Sequence, residues 1–329
     1  MCVRLALPFS LNGFPAGASL RGAARIRGFV PLTWGAVWLL RIFVDACVAV
    51  CGFFMAVNHP CGPGAMCSLP WRHRYLIVQL VRREVLGRYR GSLIGLLWSF
   101  LTPALMLAVY TFVFSVVFQA RWGGAGGGAG KVEFALILFS GLIVFNLFAE
   151  CISQAPGLIL ANTNYVKRVV FPLEILPWVS LGSALFHAGI NLVVLLVALL
   201  VTGHGGGWAV LTLPLVLLPF LWLVLGLSWW LSASGVFLRD ISQMVGMVIT
   251  VLMFLSPIFY PLSAMPASVH GWLFLNPLAF IIEQTREVLI WNRLPDAWGL
   301  GWYTLVALTV AWSGFFWFQK TRKGFADVL

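Results

Sequence analysis

The reactive side chains of this chain are few and widely scattered. Its 329 residues include ten Asp and Glu, five His and six Cys. No HExxH or GxSxG pattern occurs, and the His, Cys, Asp and Glu residues do not fall at the spacings used for catalysis or metal binding. We therefore expect no catalytic residue, no metal site and no cofactor within this chain.

One glycine-rich stretch resembles a nucleotide-binding pattern without completing it. Residues 125–132 read AGGGAGKV, whereas a phosphate-cradling loop reads G-x-x-x-x-G-K-[ST]. Ala125 replaces the first glycine, and Val132 replaces the hydroxyl residue that would bind magnesium. We interpret the stretch as a flexible loop and not as a nucleotide site.

Two ionisable residues lie inside apolar stretches, namely Glu150 and His187. Such residues are functional candidates by default, because placing a charge in lipid is costly. The alternative is that Glu150 is neutral and hydrogen-bonded and that His187 is satisfied structurally. We favour this alternative.

Composition identifies the elements that must position these side chains. The chain is 61% hydrophobic and 9% charged, with a mean hydropathy of +0.96, whereas soluble domains contain about 25% charged residues. The fold class is therefore an all-α polytopic membrane protein. The net charge of +11 is explained by basic residues at a membrane surface, so no nucleic-acid partner is expected.

Apolar runs predict six transmembrane helices, with short re-entrant helices over about 262–293 before the last span. The predicted spans are about 91–119, 134–160, 173–201, 208–234, 241–260 and 300–318. Twelve Lys and Arg of residues 66–329 fall on one predicted side and four on the other. Because basic residues accumulate in the cytoplasm, both ends of the 66–329 core are expected to be cytoplasmic.

The segment before the first span has the pattern of an amphipathic interface helix over residues 66–90. Gly87, Gly91 and Gly95 follow at four-residue spacing and Ser99 continues the row, which predicts a small-residue stripe for close helix packing. Residues 1–65 are either an extra apolar helix or a segment ahead of a translation start near Met66. We expect the latter.

Four blocks of this chain carry a family resemblance, namely RREVLGRYRGSLIGLLWSFLTPALMLAVYTFVFSVVF, SGLIVFNLFAECISQAPGLILANTNYVKRVVFPLEILP, GVFLRDISQMVGMVITVLMFLSPIFYPLSAMP and LNPLAFIIEQTREVLI. They resemble permease subunits of ABC type-2 polysaccharide exporters, which move O-antigen, capsular polysaccharide or teichoic acid. The blocks occur in family order and cover most of residues 71–320, whereas residues 1–65 have no counterpart. The resemblance implies six spans per subunit, a homodimer, and two cytoplasmic ATPase subunits that bind ATP and magnesium.

The resemblance also assigns roles to particular residues. The loop 162–171 matches a short coupling helix, where Lys167 and Arg168 offer charge-assisted contacts to the ATPase and Tyr165 and Val166 a packed anchor; the alternative is that Lys167 and Arg168 only set the topology. The ATPase-coupling candidates are Asn162, Tyr165, Val166, Lys167 and Arg168. The interface helix carries arginines that contact the ATPase, lipid headgroups or a substrate pyrophosphate, namely Arg72, Arg74, Arg82, Arg83, Arg88 and Arg90.

Two further groups complete the candidate site. A sliding polysaccharide needs repeated weak sites, and aromatic rings provide them, although aromatic residues are also common in membrane cores. The conduit candidates are Trp98, Tyr110, Phe112, Phe114, Phe118, Trp229 and Trp230. Glu283, Arg286 and Glu287 share one helix face and form either an outer gate latch or a merely solvated face.

These features predict a permease that exports a lipid-linked polysaccharide, O-antigen first, across a bacterial inner membrane with energy from a separate ATPase. Capsular polysaccharide and teichoic acid are the alternative cargoes. The rivals from other classes are an ion-coupled secondary transporter, which would show internal repeats and midplane charges, and a membrane glycosyl or acyl transferase, which would need a clustered acidic or His site.

Overall fold

The computed structural model describes residues 62–92, 94–114, 131–166, 171–203, 207–260 and 276–328, and within these ranges it contains helices and no strand. The α-helices are α1 (Pro63–Arg72), α2 (Arg74–Arg88), α3 (Trp98–Phe112), α4 (Lys131–Gln154), α5 (Thr163–Val166), α6 (Leu176–Val201), α7 (Leu213–Phe237), α8 (Ile241–Leu255), α9 (Pro277–Leu289) and α10 (Ala297–Val328). The expected all-α membrane architecture is confirmed.

Five helical segments are long and apolar enough to cross a membrane. They are Gly95–Phe112, Glu133–Gly157, Leu173–Val201, Trp208–Phe237 and Ala297–Phe325. The remaining apolar helix, α8, has 15 residues and a length of about 22 Å, against about 30 Å for a bilayer core. It ends at Leu255 because Ser256 is extended (φ −84°, ψ 146°), as expected for a residue that precedes a proline.

Helix α4 lies at the centre of the bundle. The apolar stretch within Glu133–Gly157 is 83% buried, whereas the apolar stretches of the other four spanning segments are 17% to 44% buried. It packs against α3, α6, α7, α8 and α9. The described part of the chain is therefore a set of helices arranged around α4, and Glu150 projects from this central helix.

Helices α7 and α10 approach each other through glycine. A Cβ atom built on Gly226 would lie 2.6 Å from the Cα of Ala311. A Cβ on Gly314 would meet the carbonyl oxygen of Gly226. Small residues allow backbones to pack closely in a membrane, where the dispersion contacts of close packing drive helix association.

The amphipathic helix α2 lies along α6. Its buried face includes Leu80 and Val85. A Cβ on Gly182 of α6 would come within 2.6 Å of Val81 Cγ2, so the two helices are in close contact. The opposite face of α2 is exposed and mixes aromatic, apolar and basic side chains, among them Tyr75, Val78, Arg82 and Leu86.

The predicted glycine stripe is wrong as a helical feature. Helix α2 ends at Arg88, and Gly91 and Gly95 take positive φ angles of 90° and 56°. These are left-handed conformations that glycine adopts without steric cost and that break a right-handed helix. The glycines therefore form the turn between α2 and α3, and Ser99 is not in register with Gly87.

Candidate functional site

The predicted coupling segment folds as a 3₁₀ turn, Leu160–Asn162, followed by the single helical turn α5. The side-chain nitrogen Nδ2 of Asn162 donates a hydrogen bond to the carbonyl oxygen of Leu158 at 2.9 Å, which stabilises this turn. The ring of Tyr165 stacks on the ring of Phe171, with centroids 4.3 Å apart and planes 9° apart. Lys167, Arg168 and the side chain of Val166 lie outside the described residues.

The interface helix is attached to this segment by Arg83. Its guanidinium Nη1 donates to the hydroxyl of Tyr165 at 2.7 Å, and its Cζ lies 5.9 Å from the centre of the Tyr165 ring. A hydrogen bond from a charged donor is stronger than one between neutral groups. The residues Arg83 and Tyr165, predicted to act in two separate elements, are thus direct neighbours.

The C-terminal helix α10 contacts Phe171 and Glu174, at the end of the coupling segment and just after it. Arg322 Nη1 forms an ion pair with Glu174 Oε2 at 2.7 Å, and both side chains are largely buried, with 18% and 14% of their surfaces exposed. The second nitrogen, Nη2, donates to the carbonyl oxygen of Phe171 at 3.0 Å. Sequence reasoning missed this pair, because 148 residues separate its members and no local spacing indicates it.

Glu150 and His187 meet Arg88 at the C-terminal end of α2. Arg88 Nη2 lies 2.7 Å from Glu150 Oε1, and His187 Nδ1 lies 3.2 Å from the same oxygen. Glu84, one turn before Arg88, is half-buried beside this group. Burial raises the pKa of the Glu84 carboxyl, the Arg88 guanidinium opposes the rise, and the charge of Glu150 adds to it.

The six arginines of the interface helix therefore occupy different environments. Arg83 and Arg88 contact other elements, whereas Arg74 lies over the ring of its neighbour Tyr75, with Cζ 4.8 Å from the ring centre. The side chains open to solvent or headgroups are those of Arg72, Arg74, Arg82 and Arg90.

Arg286 of α9 is fully buried. Its Nη1 donates to Glu283 Oε1 at 2.9 Å, its Nη2 to the carbonyl oxygen of Ile258 at 3.0 Å, and its Nε to that of Ile137 at 3.3 Å. The solvated-face alternative is therefore wrong for Arg286. Glu287 behaves differently: its carboxylate lies 3.7 Å from the exposed guanidinium of Arg293.

The conduit candidates also divide. Trp229 is fully buried, its indole nitrogen donates to the carbonyl oxygen of Glu174 at 3.1 Å, and it packs on Phe315. It offers no free ring face, so Trp229 is a core residue and its prediction as a conduit aromatic is wrong.

The other aromatic candidates keep part of their surface or contact neighbouring helices. Trp98 and Phe112 of α3 are exposed, whereas Tyr110 is half-buried. Phe114 packs on Phe134. Trp230 is half-buried and stacks on Trp317 with centroids 4.9 Å apart. Phe118 lies outside the described residues.

Within the described ranges, no group of three or more His, Cys, Asp or Glu side chains is arranged to hold a metal ion. The polar groups instead form contacts between helices, concentrated at the end of the bundle where α2, α5 and the last turns of α10 meet. These contacts join elements that lie far apart in the sequence.

Comparison with known proteins defines the class. Residues 75–290 match the ABC-2 type transporter membrane family. The chain therefore belongs to the ABC-2 type transporter family and is a multi-pass transport protein. The resemblance found in the sequence is confirmed.

Individual relatives align with this chain over most of their own length. The chain is 29% identical over 259 residues to the O-antigen export system permease protein RfbA of Myxococcus xanthus, which covers 78% of this chain and 96% of that protein. It is 25% identical to RfbA of Klebsiella pneumoniae, covering 77% and 95%. It is also 25% identical to the polysialic acid transport protein KpsM of Escherichia coli, covering 70% and 88%.

Proposed function

We propose that this chain is the permease subunit of an ATP-driven exporter that moves a lipid-linked polysaccharide across the bacterial inner membrane. O-antigen is the first candidate cargo. The observation that carries the proposal is the match over almost the full length of relatives named as O-antigen export permeases. Capsular polysaccharide is the second candidate cargo, because relatives named for polysialic acid transport also match.

The working unit in this proposal is a homodimer with two ATPase subunits, which bind ATP and magnesium. The conduit lies between the two permeases. The exposed apolar side chains along α3 and α8, such as Leu105, Val109, Met247 and Val251, are compatible with a second copy or with lipid.

Coupling enters through the segment 162–171 in this proposal. Tyr165 supports it, because its ring stacks on Phe171 while its hydroxyl binds Arg83. Movement of the segment would therefore be transmitted to α2 directly and to α10 through the hydrogen bond between Arg322 and the carbonyl oxygen of Phe171. Lys167 and Arg168 follow Tyr165 closely in the sequence and contribute positive charge for contact with the ATPase.

The test is transport into inside-out membrane vesicles that contain this chain and its co-expressed ATPase. We expect ATP to drive lipid-linked polysaccharide into the vesicle lumen even when an uncoupler has collapsed the ion gradient. Transport that stops with the uncoupler while ATP stays high would contradict the proposal and favour an ion-coupled carrier. Supplying O-antigen and capsular polymer separately distinguishes the two cargoes.

A further inference from the structure

Three ionisable side chains from three helices meet where α2 ends. Arg88 is the last residue of α2, Glu150 belongs to α4 and His187 to α6. Glu150 Oε1 lies 2.7 Å from Arg88 Nη2 and 3.2 Å from His187 Nδ1, and Arg88 Nη1 lies 3.2 Å from His187 Nδ1. Every pair within the group is therefore in hydrogen-bonding range.

The group lies at a mechanical junction. Directly after Arg88, the chain turns through Gly91, with φ of 90°, and Gly95, with φ of 56°, into the first spanning segment. Tyr89 adds an edge contact to the ring of His187, with centroids 6.2 Å apart. The end of the interface helix is thus fixed against the spanning helices immediately before the bend.

The polar group adds a directional contact to an apolar one. The contact of α2 with α6 uses Val81 against Gly182 and the buried Leu80, and the hydrophobic effect is non-directional. An ion pair with short hydrogen bonds is directional and holds one geometry. The Arg88–Glu150 pair links α2 to α4, the most enclosed spanning helix.

His187 gives the group two possible arrangements. Its Nδ1 faces both a guanidinium donor and a carboxylate acceptor at 3.2 Å. A neutral imidazole nitrogen either accepts or donates, so it can satisfy Arg88 or Glu150 but not both. Its other nitrogen, Nε2, is buried without a hydrogen-bond partner in the described part of the chain.

We propose that Arg88, Glu150 and His187 form a polar clamp that transmits movement of the interface helix α2 to the spanning helices α4 and α6. The inference rests on the proposed function, because it requires an ATPase that moves α2. It makes Arg88 a positioning residue and not a phosphate ligand. Glu84, one turn before Arg88, interacts electrostatically with Arg88, Glu150 and His187.

The test is a double-mutant cycle on the complete exporter, with Arg88→Glu, Glu150→Arg and the double exchange. We expect each single reversal to lower polymer export by about tenfold or more, because it places two like charges together. The double exchange should recover much of that loss. ATPase co-purification and ATP hydrolysis should persist in all three, so hydrolysis per exported polymer rises in the single variants.

The matched control is Arg239→Glu, which reverses an exposed charge between α7 and α8 and should leave export near the wild-type rate. His187→Gln, whose amide can donate to Glu150, should keep more export than His187→Leu. Equal loss in these two histidine variants would overturn the role of His187.

If the free-energy effect of the double exchange on export equals the sum of the effects of the two single reversals, the clamp is overturned. If a reversal variant does not accumulate in the membrane, Arg88→Gln, Glu150→Gln and their combination decide by the same criterion. A wild-type complex without an ATPase would instead contradict the proposed function itself, so the two failures are distinguishable.

Discussion

At the scale of single residues, Arg286 illustrates how a buried charge is accommodated. All three of its donor nitrogens have acceptors, namely Glu283 and the carbonyl oxygens of Ile137 and Ile258. A buried guanidinium is tolerated only when it is paired and hydrogen-bonded. Arg286 therefore joins α9 to α4 and to the segment that follows α8.

Removing this side chain should be costly. For Arg286→Met we expect a loss of about 3–5 kcal/mol in stability, because Glu283 would be left without its buried partner. Arg286→Lys should recover only part of it, since an ammonium cannot reproduce the planar set of donors. Thermal unfolding of the purified protein in lipid nanodiscs measures both.

The control is Arg293→Met, which removes an arginine whose side chain is 73% exposed and lies 3.7 Å from Glu287. Surface pairs of this kind contribute about 0–1 kcal/mol. If Arg286→Met and Arg293→Met lost similar stability, burial of the Arg286 side chain would not explain its contribution.

Glu84 makes a pH-dependent contribution. Its pKa is raised by burial, so the folded state prefers the protonated form, and stability falls as pH rises through the folded-state pKa. Glu84→Gln removes a charge that is unfavourable at neutral pH. We expect this variant to unfold at a higher temperature than wild type near pH 7.5, with the difference shrinking at acidic pH. A difference that grows towards acidic pH would contradict the assignment.

The sequence predicted part of this chemistry. The spacing of Glu283 and Arg286 by three residues favoured a pair on one helix face, and the pair forms. The partners of Arg88 could not be found in this way, because His187 lies 99 residues further along the chain. Contacts between distant residues depend on tertiary packing, which local periodicity does not encode.

At the scale of elements, the glycines between α7 and α10 set how closely these helices approach. We expect Gly226→Ala to cost about 1–3 kcal/mol, because its Cβ would lie 2.6 Å from the backbone of Ala311 and the helices would have to separate. The change in unfolding temperature of the purified protein measures it.

Gly189→Ala in α6 is the matched control, since a Cβ there meets nothing within 4 Å. Alanine is favoured over glycine inside a helix by about 0.5–1 kcal/mol. The control variant should therefore equal wild type or exceed it. If both variants lost stability equally, the close approach of α7 and α10 would not be the cause.

Helix positions were easier to predict than helix ends. The apolar runs predicted spans near 134–160, 173–201 and 208–234, and helical segments occur at 133–157, 173–201 and 208–237. The ends depend on particular residues. Because Gly91 and Gly95 form a turn, α3 begins only at Trp98. Helix α10 continues to Val328, beyond the predicted end near 318. Apolar composition does not mark these points.

At the scale of the whole molecule, the polar contacts between distant described elements include one group near α2 and the C-terminal end of α10 and a second group around α9. Near α2, the pairs Arg83–Tyr165, Arg88–Glu150 and Arg322–Glu174 connect α2, α4, α5, α10 and the 3₁₀ turn Leu173–Ile175. Arg286 and Asn276 connect α9 to the segment that follows α8, and Asn276 Nδ2 donates to Ser256 Oγ at 2.9 Å.

We propose that this permease is moved by a separate ATPase attached at the coupling segment 162–171. The measurement is gentle purification of the chain from its own cell membranes, followed by intact mass analysis of the complex, for the wild type and for Tyr165→Ala combined with Lys167→Glu and Arg168→Glu. Arg239→Glu serves as the control. We expect an ATPase subunit in one-to-one ratio with wild type and control, and its loss from the triple variant. A permease that purifies with no nucleotide-binding partner would contradict this proposal.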